Sequence, residues 1–380
     1  MEVRTFAYRG GAWSGALAPA LDSPSTLVLA FGGSGFVGEP APLVDLTRAY
    51  PSSHILGCST SGEIFGADLS DDTVVAAVVR FTHTRLRRVE VIVEGELDSA
   101  AAGQAIAREL LADDLRGVFL LGDGVHVNGS ALVRGVNAVL PESVVVTGGM
   151  AGDGPRFERT WTLGSGGPRS RLVSAVGLYG DRVHIGHGSR AGWDLFGPTR
   201  VVTRARGNVL FELDGRPALG LYKDYLGDRS SALPAAGLLY PISLRATPES
   251  RREVVRTLLA VDEGAQSMTF AADIPENAVA RLLRPDLDRV IQGAGDAGLA
   301  AATVTAAAAS SPILAIAVSC VGRRLVLGER TGEEIEAVVD SLPAGAAQIG
   351  FYGYGGIAPH GFGACNLHNQ TMTLTTICER

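Results

Sequence analysis

Two stretches of the chain, LVLAFGGSGFVGEPAPLVDLTRAYPSSHILGCSTSGE (27–63) and VFLLGDGVHVNGSALVRGVNAVLPESVVVTGGMAGDG (118–154), run through one order: apolar strand, glycine turn, helix, proline break, second strand, glycine-rich loop. A third copy is expected in ILAIAVSCVGRR…GEEIEAVVDSLPAGAAQIGFYGYGGI (313–357). A helical crossover between strands favours parallel pairing and gathers the loops that follow them at one sheet edge, where α/β proteins take ligands. Short patterns of this kind also resemble one another by chance, so duplication and chance likeness both stand at this point. The expected class is α/β, with mixed α+β as the alternative. It comprises two domains built from repeated β-α-β units, with glycine-rich loops at the sheet edge.

Apolar runs of strand length occur at 26–31, 74–81, 89–95, 118–124, 144–149 and 171–180, and helical periods fit 42–50, 102–112, 130–140, 287–302 and 333–342. A domain boundary is expected near ELDGRPALGLYKDYLG (212–227). The uncharged run 297–322 has the length of a membrane span, but Ala, Ser and Thr make its first part weakly apolar and Pro312 divides it. It reads as a small-residue helix followed by a buried strand, with no membrane insertion.

The net charge of −7 argues against binding a phosphate backbone. The arginine groups at 85, 87, 88 and at 200, 204, 206 lack the interleaved aromatics that a single-strand binder needs. Lys223 is the one lysine, and nothing around it would activate an amine. Four cysteines without a CxxC, and an N-terminus without an apolar signal core, suit reduced thiols in a cytoplasmic protein.

GCSTSGEIFG (57–66) has P-loop glycine spacing, but Glu63 and Ile64 stand where lysine and a hydroxyl residue are required, and a carboxylate repels phosphate. Gly33, Gly35 and Gly38 spell GxGxxG without the acidic ribose partner after the next strand. Cys58 would need a histidine base to act as a nucleophile, and no spacing selects one; a packed thiol is the plainer reading. His184 with His187, and Cys365 with His368, do not supply the four ligands of a structural metal site, so no metal is expected. A single axial histidine is enough for haem, which leaves haem open. The C-terminal segment from Gln348 sets Phe351, Tyr352 and Tyr354 among glycines before His368, Asn369, Gln370 and Thr371. That mixture suits a small-ligand pocket as well as it suits a buried strand pair with polar ties.

GCSTSGEI, GHGSRAGWDLFGPTRVVTRARGNVLFELDGRPALGLYKDYLG, AVSCVGRRLVLGERTGEEIEAVV and GFYGYGGIAPHGFGACNLHNQTMTLT together resemble the FIST family of bacterial sensory proteins. The resemblance implies a lead-in over 1–25, an N-terminal FIST domain over 26–215 and a C-terminal one over 216–380. It implies a stand-alone, non-enzymatic sensor of a small, amino-acid-like molecule that signals through a partner, a histidine kinase or a cyclic-dinucleotide signalling protein. A haem-based nitric-oxide sensor is the alternative, with His187 or His368 as axial ligand; a thiol enzyme using Cys58 is a lesser one. The candidate ligand residues are Cys58, Ser59, Ser61, Glu63, Asp153, Tyr352, Tyr354, His368 and Asn369. Against the family's usual YGEI, the C-terminal loop here reads Tyr354-Gly355-Gly356-Ile357, with a glycine in place of the carboxylate.

Overall fold

The computed structural model describes residues 1–95, 98–250, 253–306, 312–359 and 364–380. The expected strands and helices all form, within a few residues of their predicted limits. The β-α-β pattern recurs three times. In each unit two parallel strands lie side by side: Thr26–Gly33 with His54–Thr60, Leu115–Gly122 with Val145–Met150, and Leu314–Cys320 with Ala347–Gly353. Two antiparallel strands extend each pair on one side: Val74–Arg80 then Glu2–Arg9, Leu172–Tyr179 then Arg85–Ile92, Met372–Glu379 then Val183–Arg190.

On the other side, every sheet is completed by a hairpin from a different unit. Glu63–Phe65 and Asp68–Ser70 leave the first unit and join the third sheet, beside Ala347–Gly353. Thr162–Gly164 and Gly167–Arg169 leave the second and join the first; Gly355–Pro359 and Cys365–His368 leave the third and join the second. The exchange is cyclic, and within each unit an equivalent glycine marks the register of the parallel pair. A Cβ on Gly57, Gly148 or Gly350 would sit 2.3, 1.8 or 2.0 Å from the carbonyl oxygen of its facing strand residue, Ala30, Leu120 or Ala317. The same requirement at the same place in all three units supports duplication over chance likeness.

The inner faces of the three sheets share one core, which includes Leu29, Phe31, Phe119, Leu121, Ile316 and Phe351. Outer faces carry the helices: Ala41–Ala49 on the first sheet, Ser99–Leu110 and Gly129–Asn137 on the second, Leu287–Ala306 and Thr331–Ser341 on the third. Burial on both faces is why these strands read as unbroken apolar runs. No helix among the described residues is long and apolar enough to cross a membrane. Leu287–Ala306 lays Ala297 and Ala301 against Gly188 and Gly186 of strand Val183–Arg190, so its small residues serve close packing.

A fourth sheet is inserted into the third unit between Val183–Arg190 and Leu287–Ala306. Its strands run in the order Glu253–Arg256, Ile242–Arg245, Val279–Arg284, Asp194–Arg206, Val209–Leu213, Ser267–Phe270 and Leu258–Asp262. Helix Ala218–Leu226 covers it, and its core of Leu210, Leu219, Tyr222, Leu244, Met268 and Phe270 is separate from the others. The expected boundary at 212–227 falls within this insert. Five of the six grouped arginines form ion pairs: Arg85, Arg87 and Arg88 with Asp114, Glu109 and Glu90, and Arg200 and Arg204 with Asp214 and Glu212.

Candidate functional site

The loops that close the second parallel strand of each unit meet at one point. Ser61 N donates to Tyr352 O at 2.6 Å, and Tyr352 N donates to Gly62 O at 2.8 Å. Gly152 N donates to Ser59 O at 2.9 Å and Tyr354 N to Met150 O at 3.1 Å, which closes a ring through all three units. Beside this ring opens a cleft of about 570 Å3. The first unit contributes Ser34, Ser61, Glu63, Asp71 and Asp72, the second Gly154 to Arg156, and the third Val321, Arg324 and Leu325. This is the crevice beyond the carboxyl ends of parallel strands, where open α/β sheets bind ligands.

Both signs of charge face the cleft. Arg324 donates to both carboxylate oxygens of Asp71 at 2.6 and 2.7 Å and to Ser61 O at 2.5 Å. These bonds hold the Asp71 carboxyl below its ordinary range and raise the Arg324 guanidinium. Arg156 is exposed on the opposite wall, 3.0 Å from Ser34 Oγ. Glu63 is 1% exposed, and burial pushes its carboxyl from 4.5 up to about 7 against the pull of its hydrogen bonds. Those bonds come from Thr60 Oγ1 and from Thr73 N and Oγ1, the latter two at 3.0 and 2.7 Å. The cleft therefore holds a carboxyl pushed up to about 7 and an exposed arginine, Arg156, whose Nε lies 3.9 Å from Asp153 Oδ2.

Of the residues predicted from the sequence, Ser61 and Glu63 line this cleft. Asp153 lies under its wall: it accepts from the backbone N–H of Phe157, Glu158 and Arg159 at 2.9 to 3.0 Å and from the Tyr354 hydroxyl, and so shapes the 154–159 loop. Cys58 is packed in the common core, where burial raises its thiol well above the ordinary value, and Ser59 Oγ accepts from Trp161 N at 3.0 Å. Tyr352 is fully buried and donates to Glu334 at 2.7 Å. Tyr354 and Asn369 border a separate hollow against the inserted sheet. The position facing Phe351 is Glu63, and its counterpart facing Gly149 is Gly356; there Thr373 Oγ1 lies 2.4 Å from where a Cβ would stand, so threonine fills the place of the second carboxylate.

Neither histidine considered for haem, His187 or His368, lines the cleft. His368 is 2% exposed with Nε2 3.0 Å from Ala358 O, and His187 is half-buried on a strand paired with Thr375, where burial lowers its imidazole below the ordinary value. Clefts of about 570, 540 and 310 Å3 open on the molecule, and no histidine among the described residues lines any of them. No group of three metal-ligating side chains occurs among the described residues.

Sequence reasoning missed Ser34, Asp71, Asp72, Arg156 and Arg324. The repeat held the signal for two of them: Ser34 and Arg324 each lie just past the first parallel strand of their unit, Thr26–Gly33 and Leu314–Cys320.

Among solved structures, the chain is similar at 9% identity to one titled as a chorismatase, with 99% of this chain and 98% of that one covered and a TM-score of 0.35. A second, titled as a cyanuric acid hydrolase, is 10% identical, with 100% and 99% covered and a TM-score of 0.33. A search of curated proteins finds no match. The FIST N domain model matches residues 26–216 and the FIST C domain model matches 218–359. The chain belongs to the FIST family of sensory signal-transduction domains.

Proposed function

We propose that the cleft binds a small zwitterionic molecule of the amino-acid class, without chemical turnover, and that its occupancy is passed to a partner protein. The observation that carries this reading is the placement of opposite charges in one cleft walled by all three units. Arg156, Ser34 and the glycine backbone suit a carboxylate, while Glu63 and Asp72 suit an ammonium. A ligand held there touches three sheets at once, so it favours one arrangement of the units over another, which is the differential affinity that signalling needs. A histidine kinase or a cyclic-dinucleotide signalling protein is the partner we propose. A binding role also suits Ser61, whose Oγ accepts from Gly154 N at 2.9 Å, with no histidine lining the cleft to activate it.

The test is a thermal-shift panel of the proteinogenic amino acids, with hits measured by calorimetry on the wild type and on Arg156→Ala. Loss of a charge-assisted bond of about 1.5–3 kcal/mol is expected to weaken binding at least tenfold. Unchanged affinity in Arg156→Ala would remove the carboxylate assignment.

A further inference from the structure

The 154–159 loop has two sides. One walls the cleft; the other places Phe157 over a hollow between the three-unit body and the inserted sheet. Phe157 is 41% exposed, sits at φ +55°, and stacks on the Tyr354 ring at 4.2 Å and 15°. A bulky residue in the left-handed region is strained, and here its backbone is held there by bonds from Phe157 N to Asp153 Oδ1 at 2.9 Å and to the Tyr354 hydroxyl at 3.1 Å.

Beneath the ring lie two adjoining hollows of about 70 and 20 Å3, which share Phe157, Tyr354, Leu259 and Ala271. No charged side chain among the described residues lines either. Two buried oxygens of lining residues, Asn369 Oδ1 and Thr257 Oγ1, have no hydrogen-bond partner among the described protein groups; Asn369 is 0% and Thr257 5% exposed. Asn369 Nδ2 donates to Tyr354 O at 3.3 Å, which fixes Oδ1 as the unsatisfied acceptor. Buried acceptors left without a protein partner are costly to keep dry, and a donor that enters the hollow, a water or a ligand N–H, relieves that cost.

We propose that this hollow is a second ligand site, which takes a neutral, planar molecule with one N–H donor when the Phe157 ring moves off Tyr354. With Phe157 in place the space is below the roughly 150 Å3 that holds a benzene ring, and removal of the ring supplies the difference. Tyr354 offers the stacking face, Leu238, Leu259, Ala271 and Val321 the apolar walls, and Asn369 Oδ1 or Thr257 Oγ1 the acceptor. The site lies across the 154–159 loop from the charged cleft and shares Val321 with it, and the proposal does not rest on what binds there.

The probe is indole, with indene as the control that keeps the shape and lacks the N–H. Calorimetry on the full chain is expected to show indole binding to the wild type, at least fivefold tighter binding to Phe157→Ala, and at least tenfold weaker binding of indene to both. Ala271→Phe, which fills the hollow from a partly buried position, is expected to abolish it, with circular dichroism confirming that the variant is folded. No heat with indole at millimolar concentration in Phe157→Ala overturns the site. Equal affinity for indole and indene overturns the donor, and indole binding that survives in folded Ala271→Phe overturns the location.

Discussion

Glu334→Ala is expected to cost roughly 3–5 kcal/mol of folding stability, because it strands a fully buried arginine without its counter-charge. Glu334 and Arg323 are both 0% exposed. The Glu334 carboxylate accepts from Ser319 Oγ at 2.9 Å, Tyr352 Oη at 2.7 Å and Arg323 Nε at 2.7 Å. Arg323 Nη2 also pairs with Glu334 Oε2, and Nη1 and Nη2 donate to the carbonyls of Ala191 at 2.5 Å and Val290 at 2.7 Å. The pair thereby fastens helix Val321–Leu327 to Thr331–Ser341, to Leu287–Ala306 and to the strand that leads into the insert. Because Arg324 and Leu325 reach the cleft from that helix, the same substitution is expected to weaken ligand binding. Urea unfolding of Glu334→Ala, Arg323→Met and the double variant checks the account. The double variant is expected to cost clearly less than the sum of the singles, since a buried pair is worth little over an apolar replacement while a broken pair is expensive. Additive losses would show that the two residues act separately.

Glu63 gives the second large effect, in a pH window that its carboxyl sets. Its folded value near 7 lies above the ordinary 4.5, so the folded state holds the proton more tightly than the unfolded chain. The stabilising contribution is complete below about pH 4.5 and is lost as pH rises through about 7; the whole change amounts to about 3 kcal/mol. Glu63→Gln, which cannot ionise, is expected to flatten this dependence and to be the more stable protein at pH 8. Ligand affinity is expected to run the other way in the wild type. An ammonium needs the ionised carboxylate, so affinity is expected to rise about tenfold between pH 6 and pH 8 and to lose that dependence in Glu63→Gln. Parallel stability curves for wild type and Glu63→Gln from pH 5 to pH 8 would contradict the buried-carboxyl account.

The three units were legible because their strands are buried on both faces and punctuated by glycine and proline at matching places. Gly57, Gly148 and Gly350 read in the sequence as the start of each glycine-rich loop, whereas they lie inside the second parallel strand, where the close strand contact explains them. The hairpin exchange was not legible: Glu63–Phe65 and Asp68–Ser70 are three residues each, too short for a period to show. The inserted sheet escaped for a different reason. Strands such as Glu253–Arg256 and Leu258–Asp262 are short, mix charged and apolar residues and keep part of their surface exposed, which reads as loop. In the site, Ser61 and Glu63 were legible because they follow a glycine-marked strand end. The aromatic wall expected from Tyr352 and Tyr354 is instead drawn inward, by Glu334 in one case and Asp153 in the other. Arg324 meets Asp71 across 253 residues of sequence, a pairing that only the exchanged fold creates.

The most direct test of the central claim is calorimetry of the panel's best amino acid against wild type and Leu325→Trp side by side. Leu325 lines the cleft and is 44% exposed, so an indole ring there occupies ligand space without entering the core. Binding to the wild type at micromolar to millimolar affinity, lost in a folded Leu325→Trp, is the expected result. Undiminished binding in that variant, or a wild type that takes no amino acid from the panel, would contradict the account.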